Sequence, residues 1–384
     1  METQNGFLRT MLYLPVDRVP DIEFGYWPQT IKRWHTEGFP ANLEEVYFSQ
    51  QHDSYFEMDC WPVFAIPTQY SLNPPFEEKV LEEDERIRIV QGVDGVVSRQ
   101  FKSGREESSI PQFISFPIKT LDDFKRLKEE RLRLDDPVRL TNPKAWNECR
   151  RKLQNPECII TFWAGTLYGG CRSLMGVENL SVAFHEEPKL IEAMMNHFAE
   201  LTLHALKQVP RDIPIHYISW WEDMCFRSGP LISPGMFREF MVPYYKKVMN
   251  AATEYGCCLA QVDCDGSIHQ LIGLWLESGI NVMMPLEIGG GTDPFWIRKE
   301  FGRQVRLMGG VDKKEIAKGK KAIDKELERI APLIEDGGYI PHMDHLVPPD
   351  ISLEDYWYYR RQKRKLLEQV RPMREIKHGI ASSA

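Results

Sequence analysis

The sequence predicts an α/β fold: a (β/α)8 barrel of the TIM type, with an N-terminal extension and a β-hairpin and helical insertion between strands 2 and 3. Three observations predict it. Short β-like runs alternate with longer helical patterns along most of the chain, the signature of βαβ units and a parallel sheet. The runs number eight. Their residues are apolar on both faces, as expected of strands buried between a core and an outer layer of helices.

In chain order the expected strands are IEFGYW (22–27), WPVFAIP (61–67), IITFW (159–163), IHYISWW (215–221), LAQVDC (259–264), VMMPLE (282–287), RLMGG (306–310) and YIPHM (339–343). Residues 188–208 and 235–255 carry apolar side chains at helical spacing, and Ser233-Pro234 is a helix-start signal for the second. Pro243 inside that helix predicts a kink or a break. Four more helices, at 268–278, 294–302, 321–335 and 353–370, each follow a strand end. The stretch 70–156 is too long for one connection. It holds a hairpin turning at Asp94-Gly95, a further strand in QFISFPI, and charged helices around 121–133 and 143–154. Its apolar content is too sparse for a core of its own. It therefore reads as an insertion near the barrel mouth, within a single domain spanning 1–384.

Composition bounds the function. A chain of 384 residues would allow two or three domains at about 150 residues each, but one barrel with insertions reaches this size. At 42% hydrophobic and 27% charged residues the chain is globular, which excludes wholesale disorder. With 48 basic against 56 acidic residues, the net charge is −8, so the basic face expected of a nucleic-acid binder is missing. The eight cysteines are scattered with no C-x-x-C pair, which does not read as a disulfide framework. No apolar run approaches the ~20 residues of a membrane span. The N-terminal residues lack the basic-then-apolar order of a signal peptide. The expectation is a small-molecule enzyme in a reducing cytoplasm, without nucleic-acid or membrane partners.

In such a barrel, functional residues lie where strands end and βα loops begin. Four of these junctions are rich in ionisable groups. W-W-E-D-M-C brings Glu222, Asp223 and Cys225, and Q-V-D-C-D-G brings Asp263, Cys264 and Asp265 before Gly266. P-L-E brings Glu287, and P-H-M-D-H brings His342, Asp344 and His345. Carboxylates and a histidine converging on one face are costly unless paired, protonated or bound to a metal. Each alone has a structural alternative. Asp263 and Asp265 would serve as helix caps, and Glu222 or Glu287 as partners of Arg298, Lys299 or Arg172. Cys225 and Cys264 would suit a thiolate metal site, but strand alternation sends Cys264 to the face opposite Asp263 and Asp265, into the core. The glycine-rich stretch T-F-W-A-G-T-L-Y-G-G-C-R (161–172) permits close approach of a ligand to the backbone and supplies Trp163, Tyr168 and Arg172. Trp61, Tyr70, Trp220 and Trp221 are candidates for an aromatic wall.

From about 213 to 370 the order of motifs resembles the uroporphyrinogen decarboxylase superfamily. The matching elements are E-D-M, S-G-P-L-I-S-P-x-x-F-R-E-F (228–240), D-x-D-G (263–266), Glu287, M-G-G-V-D-K (308–313) and D-H-L-V-P-P-D-I-S (344–352). The resemblance implies a (β/α)8 barrel with its site at the C-terminal strand ends, and a homodimer. Decarboxylases of the family carry R-Q-A-G-R near the N-terminus to grip substrate carboxylates. Here that region reads Y-L-P-V-D-R-V-P-D-I-E-F-G-Y-W, with Arg18 alone. A substrate with eight carboxylates would suit a rim of Glu222, Asp223, Asp263, Asp265 and Glu287 poorly. Tyr168 and His345 nonetheless stand where the family has its Tyr and His, so uroporphyrinogen decarboxylase, or a non-catalytic tetrapyrrole-binding barrel, remains the alternative.

The other branch passes methyl groups to or from a corrinoid cofactor, in some members with a zinc held by His-x-Cys and a later Cys. In those places this sequence has Asp263-x-Asp265 and His345, a harder donor set that suits an oxygen-bound methyl group. The branch cleaving methyl ethers of aromatic compounds is the most similar. The resemblance thus implies a methyltransferase that carries a methyl group from a methoxylated aromatic compound to the cobalt of a corrinoid protein. Asp263, Asp265 and His345 are the expected zinc ligands; His345, Asp265, Glu222 and Tyr168 are the expected catalytic residues; Trp163, Trp221, Asp223 and Glu287 are the expected substrate contacts. No D-x-H-x-x-G corrinoid-binding sequence occurs, so the cobalamin is expected on a separate partner protein.

Overall fold

The computed structural model describes residues 5–59, 63–102, 111–139 and 142–372. In chain order the strands are β1 (Val63–Ile66), β2 (Lys79–Glu83), β3 (Ile87–Gln91), β4 (Val97–Phe101), β5 (Gln112–Ser115), β6 (Ile159–Trp163), β7 (Tyr217–Trp221), β8 (Cys225–Phe226), β9 (Gly229–Pro230), β10 (Leu259–Asp263), β11 (Val282–Met284), β12 (Arg306–Met308) and β13 (Tyr339–Ile340). The chain divides into two compact units, one of Pro62–Met284 with Gly290–Thr292, the other of Met1–Trp61, Pro285–Gly289 and Asp293–Ala384.

In the first of these, β1, β6, β7, β10 and β11 pair side by side, all parallel. Ile159, Ile160 and Phe162 of β6, with Leu259, Ala260 and Val262 of β10, are buried on both faces, which is why these runs show no polar alternation. The helix Pro188–Lys207 turns Leu190, Ile191, Met194 and Met195 inward at helical spacing. The expected helix at 235–255 is two helices, Pro234–Phe240 and Val242–Thr253, parted at Met241. Pro243 takes the first turn of the second helix, where a missing N–H costs nothing. The insertion forms an antiparallel sheet β2-β3-β4-β5 with the helices Leu121–Arg131 and Pro143–Lys152. Its hairpin turns at Asp94-Gly95, where Gly95 has φ 81° and the Asp94 carboxylate accepts from the Val96 N–H at 3.0 Å. Strand β2 was not expected. Its residues, KVLEE, are exposed throughout and carry no hydrophobic alternation to announce it.

In the second unit, β12 and β13 pair in parallel, and single parallel bridges join Tyr26 to Val347 and Val311 to Met343. Here one expectation fails. Residues 22–27 are not a strand but one bridging residue, Tyr26, in an irregular segment. Gly25 has φ 144°, and a Cβ there would stand 2.6 Å from the Tyr47 carbonyl, so the segment is shaped by its fit against 47–48 rather than by a ladder. Glu23 is drawn instead into a buried ion cluster. Its carboxylate meets Lys363 at 2.6 Å and Arg360 at 3.3 Å, while Asp21 meets Arg360 at 2.8 Å and Lys363 at 3.5 Å. Both cations stand on the helix Leu353–Gln369. Among the described residues no helix is long and apolar enough to cross a membrane.

Candidate active site

Two strand ends in the first unit build an acidic centre. β7 and β10 are parallel neighbours with Trp221 opposite Asp263, so the residues that follow each strand emerge at the same end. Asp223, Asp263 and Asp265 each bring a carboxylate oxygen to within 4.8 Å of the others. Asp223 adopts φ 42°, a left-handed conformation that Asp tolerates better than most residues, and its Oδ1 accepts from the Asp265 N–H at 3.4 Å. Gly266 makes that approach possible. At φ 78° it lies where a Cβ would come 2.6 Å from the Cys225 carbonyl, so any larger residue would push the two loops apart.

Charge accumulates at this centre. Burial first, then the charges of Asp223 and Asp265, hold the Asp263 carboxyl well above the usual carboxylate range. Asp223 is also raised, by burial and by Asp265, against the lowering effect of Arg172. Arg172 reaches the Asp223 carbonyl at 2.8 Å and its carboxylate at 3.5 Å, with its guanidinium 4.9 Å from the Trp221 ring centre. The helix-cap alternative for Asp263 and Asp265 is not what forms. The next helix, Ile272–Glu277, starts later and has no side-chain cap.

Glu222, next to Asp223, faces the other way. It is fully buried, and its carboxylate accepts from the Leu167 N–H at 2.9 Å, the Gly169 N–H at 3.1 Å, the Thr166 hydroxyl at 3.0 Å and the Tyr245 hydroxyl at 2.6 Å. Those donors are enough to occupy it. This corrects the expectation of an open catalytic carboxylate: Glu222 anchors the loop after β6. Burial raises its pKa, and the same hydrogen bonds oppose that rise. Tyr168 is also fully buried, its ring stacked on Phe184 and its hydroxyl without a partner among the described residues. Cys225 and Cys264 are both buried, and the Cys264 sulfur accepts from the Met224 N–H at 3.3 Å. Burial pushes the Cys264 thiol well up, in keeping with its packing in the core.

The aromatic wall divides. Trp220 is core, packed against Tyr245, whereas Trp221 lies under Arg172 and Trp163 is 40% exposed. Trp61 lies outside the described residues. Trp163 and Tyr70 belong to a cavity of about 630 Å³ between the insertion, the end of β6 and the helices Tyr168–Met175 and Pro188–Lys207. Phe198, Leu72 and Leu132, which also line it, were not foreseen. As apolar residues on helices and loops, they carry no signal separating a pocket wall from core.

The remaining expected residues belong to the second unit. His345 is half-buried, its ring 5.7 Å from Phe24 and 6.0 Å from Trp27 between centroids. Glu287 pairs with Lys313 at 3.2 Å, rather than with the arginines or Lys299 that the sequence offered. Asp344 is fully buried and accepts from the Ile288 N–H at 2.9 Å and the Lys313 N–H at 3.1 Å. His342 is buried, with its Nδ1 2.7 Å from the Met343 carbonyl, and burial pushes its pKa down to about 4. Arg18 is held by Asp59 at 2.6 Å.

Comparison with known proteins bears on this geometry. The family model described as Uroporphyrinogen decarboxylase (URO-D) matches residues 102–358. Among solved structures, a methyltransferase from Methanosarcina mazei superposes with a TM-score of 0.56 at 16% identity, over 93% of this chain and 97% of that one. That likeness supports the (β/α) barrel class. A B12-independent methionine synthase from Shewanella sp. W3-18-1 is more distant, with a TM-score of 0.34 at 9% identity over 58% of this chain and 66% of that one. No curated protein matches the sequence.

Proposed function

This chain belongs to the uroporphyrinogen decarboxylase family of enzymes, and on that footing we propose that it is a methyltransferase taking the methyl group of a methoxylated aromatic compound to the cobalt of a separate corrinoid protein. The observation that carries the reading is the cluster of Asp223, Asp263 and Asp265 at the ends of β7 and β10. Three carboxylates repel a polycarboxylate porphyrinogen but suit a reaction in which negative charge leaves on an oxygen that must be neutralised. The methyltransferase from Methanosarcina mazei supports the same choice between the family's branches.

The donor set fits a divalent ion. Asp223 and Asp263 are both raised, by burial first and then by neighbouring carboxylates whose charge a cation would relieve, and an all-oxygen set suits a hard ion as well as zinc. A bound ion would supply Lewis acidity to the departing aryl oxygen. The bond that breaks joins methyl carbon to aryl oxygen; the methyl group passes to the reduced cobalt of the corrinoid partner, and the bonding pair stays on oxygen. Asp263 and Asp265 hold the positive charge, ion or proton, that this oxygen meets. Asp223 keeps their carboxylates together through the Asp265 N–H, and Trp163 binds the ring. The family resemblance gives His345 a catalytic role and the protein a homodimer, and both are proposed on that ground alone.

The test is methyl transfer from 2-methoxyphenol to a reduced corrinoid protein, run beside decarboxylation of uroporphyrinogen. The first reaction is expected to proceed, and to fall by about 100-fold or more in Asp265→Ala and His345→Ala. Turnover of the porphyrinogen alone would overturn the reading.

A further inference from the structure

The cavity lined by Trp163 carries an inference about which substrates the protein accepts. Its volume, about 630 Å³, lies within the roughly 300–1,000 Å³ of small-molecule sites. Tyr70, Trp163 and Phe198 give it aromatic walls. The Tyr70 hydroxyl donates to the Trp163 carbonyl at 2.9 Å, which ties the insertion to the end of β6. The glycines here have a different use from the one their sequence implied. A Cβ on Gly165 would stand 3.1 Å from the Tyr70 ring, and one on Gly170 would stand 3.0 Å from the Phe198 ring. They make room for the walls of the cavity rather than for a ligand against the backbone. Among the described lining residues there is no Lys, Arg or His, and the one charged residue is Asp94.

We propose that this cavity holds the aromatic ring of the substrate, with the insertion as one wall, and that it selects neutral methoxylated rings over those bearing a carboxylate. A benzoate entering it would lose water with no cation to meet, whereas a neutral phenol ether loses little. The methoxy group rests on the function proposed above; the preference for a neutral ring does not, because binding is measurable without turnover.

The experiment titrates the full chain, with no corrinoid present, with 2-methoxyphenol and with 4-hydroxy-3-methoxybenzoate at pH 7 by calorimetry. The neutral compound is expected to bind at least about tenfold more tightly. Val93, 54% exposed at the cavity wall, tolerates a polar side chain, so Val93→Lys should raise benzoate affinity and narrow the ratio. Ser173→Trp, at an exposed position on the helix beneath, should fill the cavity and weaken both. Equal or tighter binding of the benzoate, binding of neither compound, or binding unchanged in Ser173→Trp would overturn the proposal. Selective binding with no methyl transfer would sink the methyltransferase reading and leave the cavity assignment standing. Methyl transfer unaffected by Ser173→Trp would do the reverse.

Discussion

Two acidic clusters, one in each unit, are built on opposite terms. The side chains of Asp21 and Glu23 are buried, yet Lys363 and Arg360 outweigh that burial and hold both carboxyls below their ordinary range. In the other unit burial pushes Asp223 and Asp263 up, and neighbouring carboxylates push them further. The first cluster is neutral as folded, with two cations on one helix facing two carboxylates, and its energy goes into holding residues 21–23 against that helix. The second is left strained by folding itself. Surplus like charge lowers stability, and it persists where a ligand relieves it. The charge of the partners therefore separates the two clusters when residue type does not: cations around Asp21 and Glu23, other carboxylates around Asp223 and Asp263.

The largest effect expected on this comparison comes from unbalancing the first cluster. Lys363→Met should cost about 3–5 kcal/mol in urea unfolding, because it strands a buried carboxylate; a loss below about 1 kcal/mol would mean that the balance of charge is not what matters there. Relieving the second cluster is the converse. Adding zinc, magnesium or manganese to metal-free protein should stabilise it by about 2.7 kcal/mol at a hundredfold excess over Kd. A melting temperature that ignores all three ions, or that rises equally in Asp263→Asn, would break the comparison. Glu222 is the internal control, an acid satisfied by neutral donors. Glu222→Gln should cost about 1–3 kcal/mol by setting an amide N–H against the donors of the β6 loop, with no change in the affinity for ions if its placement is structural.

Titration alone should not distinguish the units, which sharpens the point. Each contains a buried histidine bonded to a backbone carbonyl, His342 and His197, and burial pushes both down to about 4. A group depressed in the folded state contributes its full stability above the unfolded value near 6.5, and loses it as pH falls toward the folded value. Between pH 7 and 5.5 each histidine should therefore cost on the order of 1 kcal/mol. Stability that stays flat over that window in denaturant titrations would contradict the burial of both rings.

Much of this is legible in the amino-acid sequence. Seven of the eight expected strands form, because their runs are apolar on both faces, and the break before Pro243 and the turn at Asp94-Gly95 follow from local chemistry. The segment 22–27 misled, since its aromatic residues read as strand while Gly25 and the ion cluster impose another path. The D-x-D pair was visible in the sequence and so was its neighbour Glu222-Asp223. What was not visible is that these two consecutive acids part company, one into the core and one to the rim.

The succession of strands along the chain, the family and the kinds of side chain gathered at the strand ends are written in the amino-acid sequence, because periodicity and motif spacing are local properties of the chain. The tertiary contacts decide which carboxylates meet donors or cations and which face other carboxylates. Glu222 finds its donors at Thr166, Leu167, Gly169 and Tyr245, and Asp21 and Glu23 find their cations more than 330 positions away. Compensation of charge depends on partners that distant segments bring within about 3 Å, and no window of sequence contains both members of such a pair.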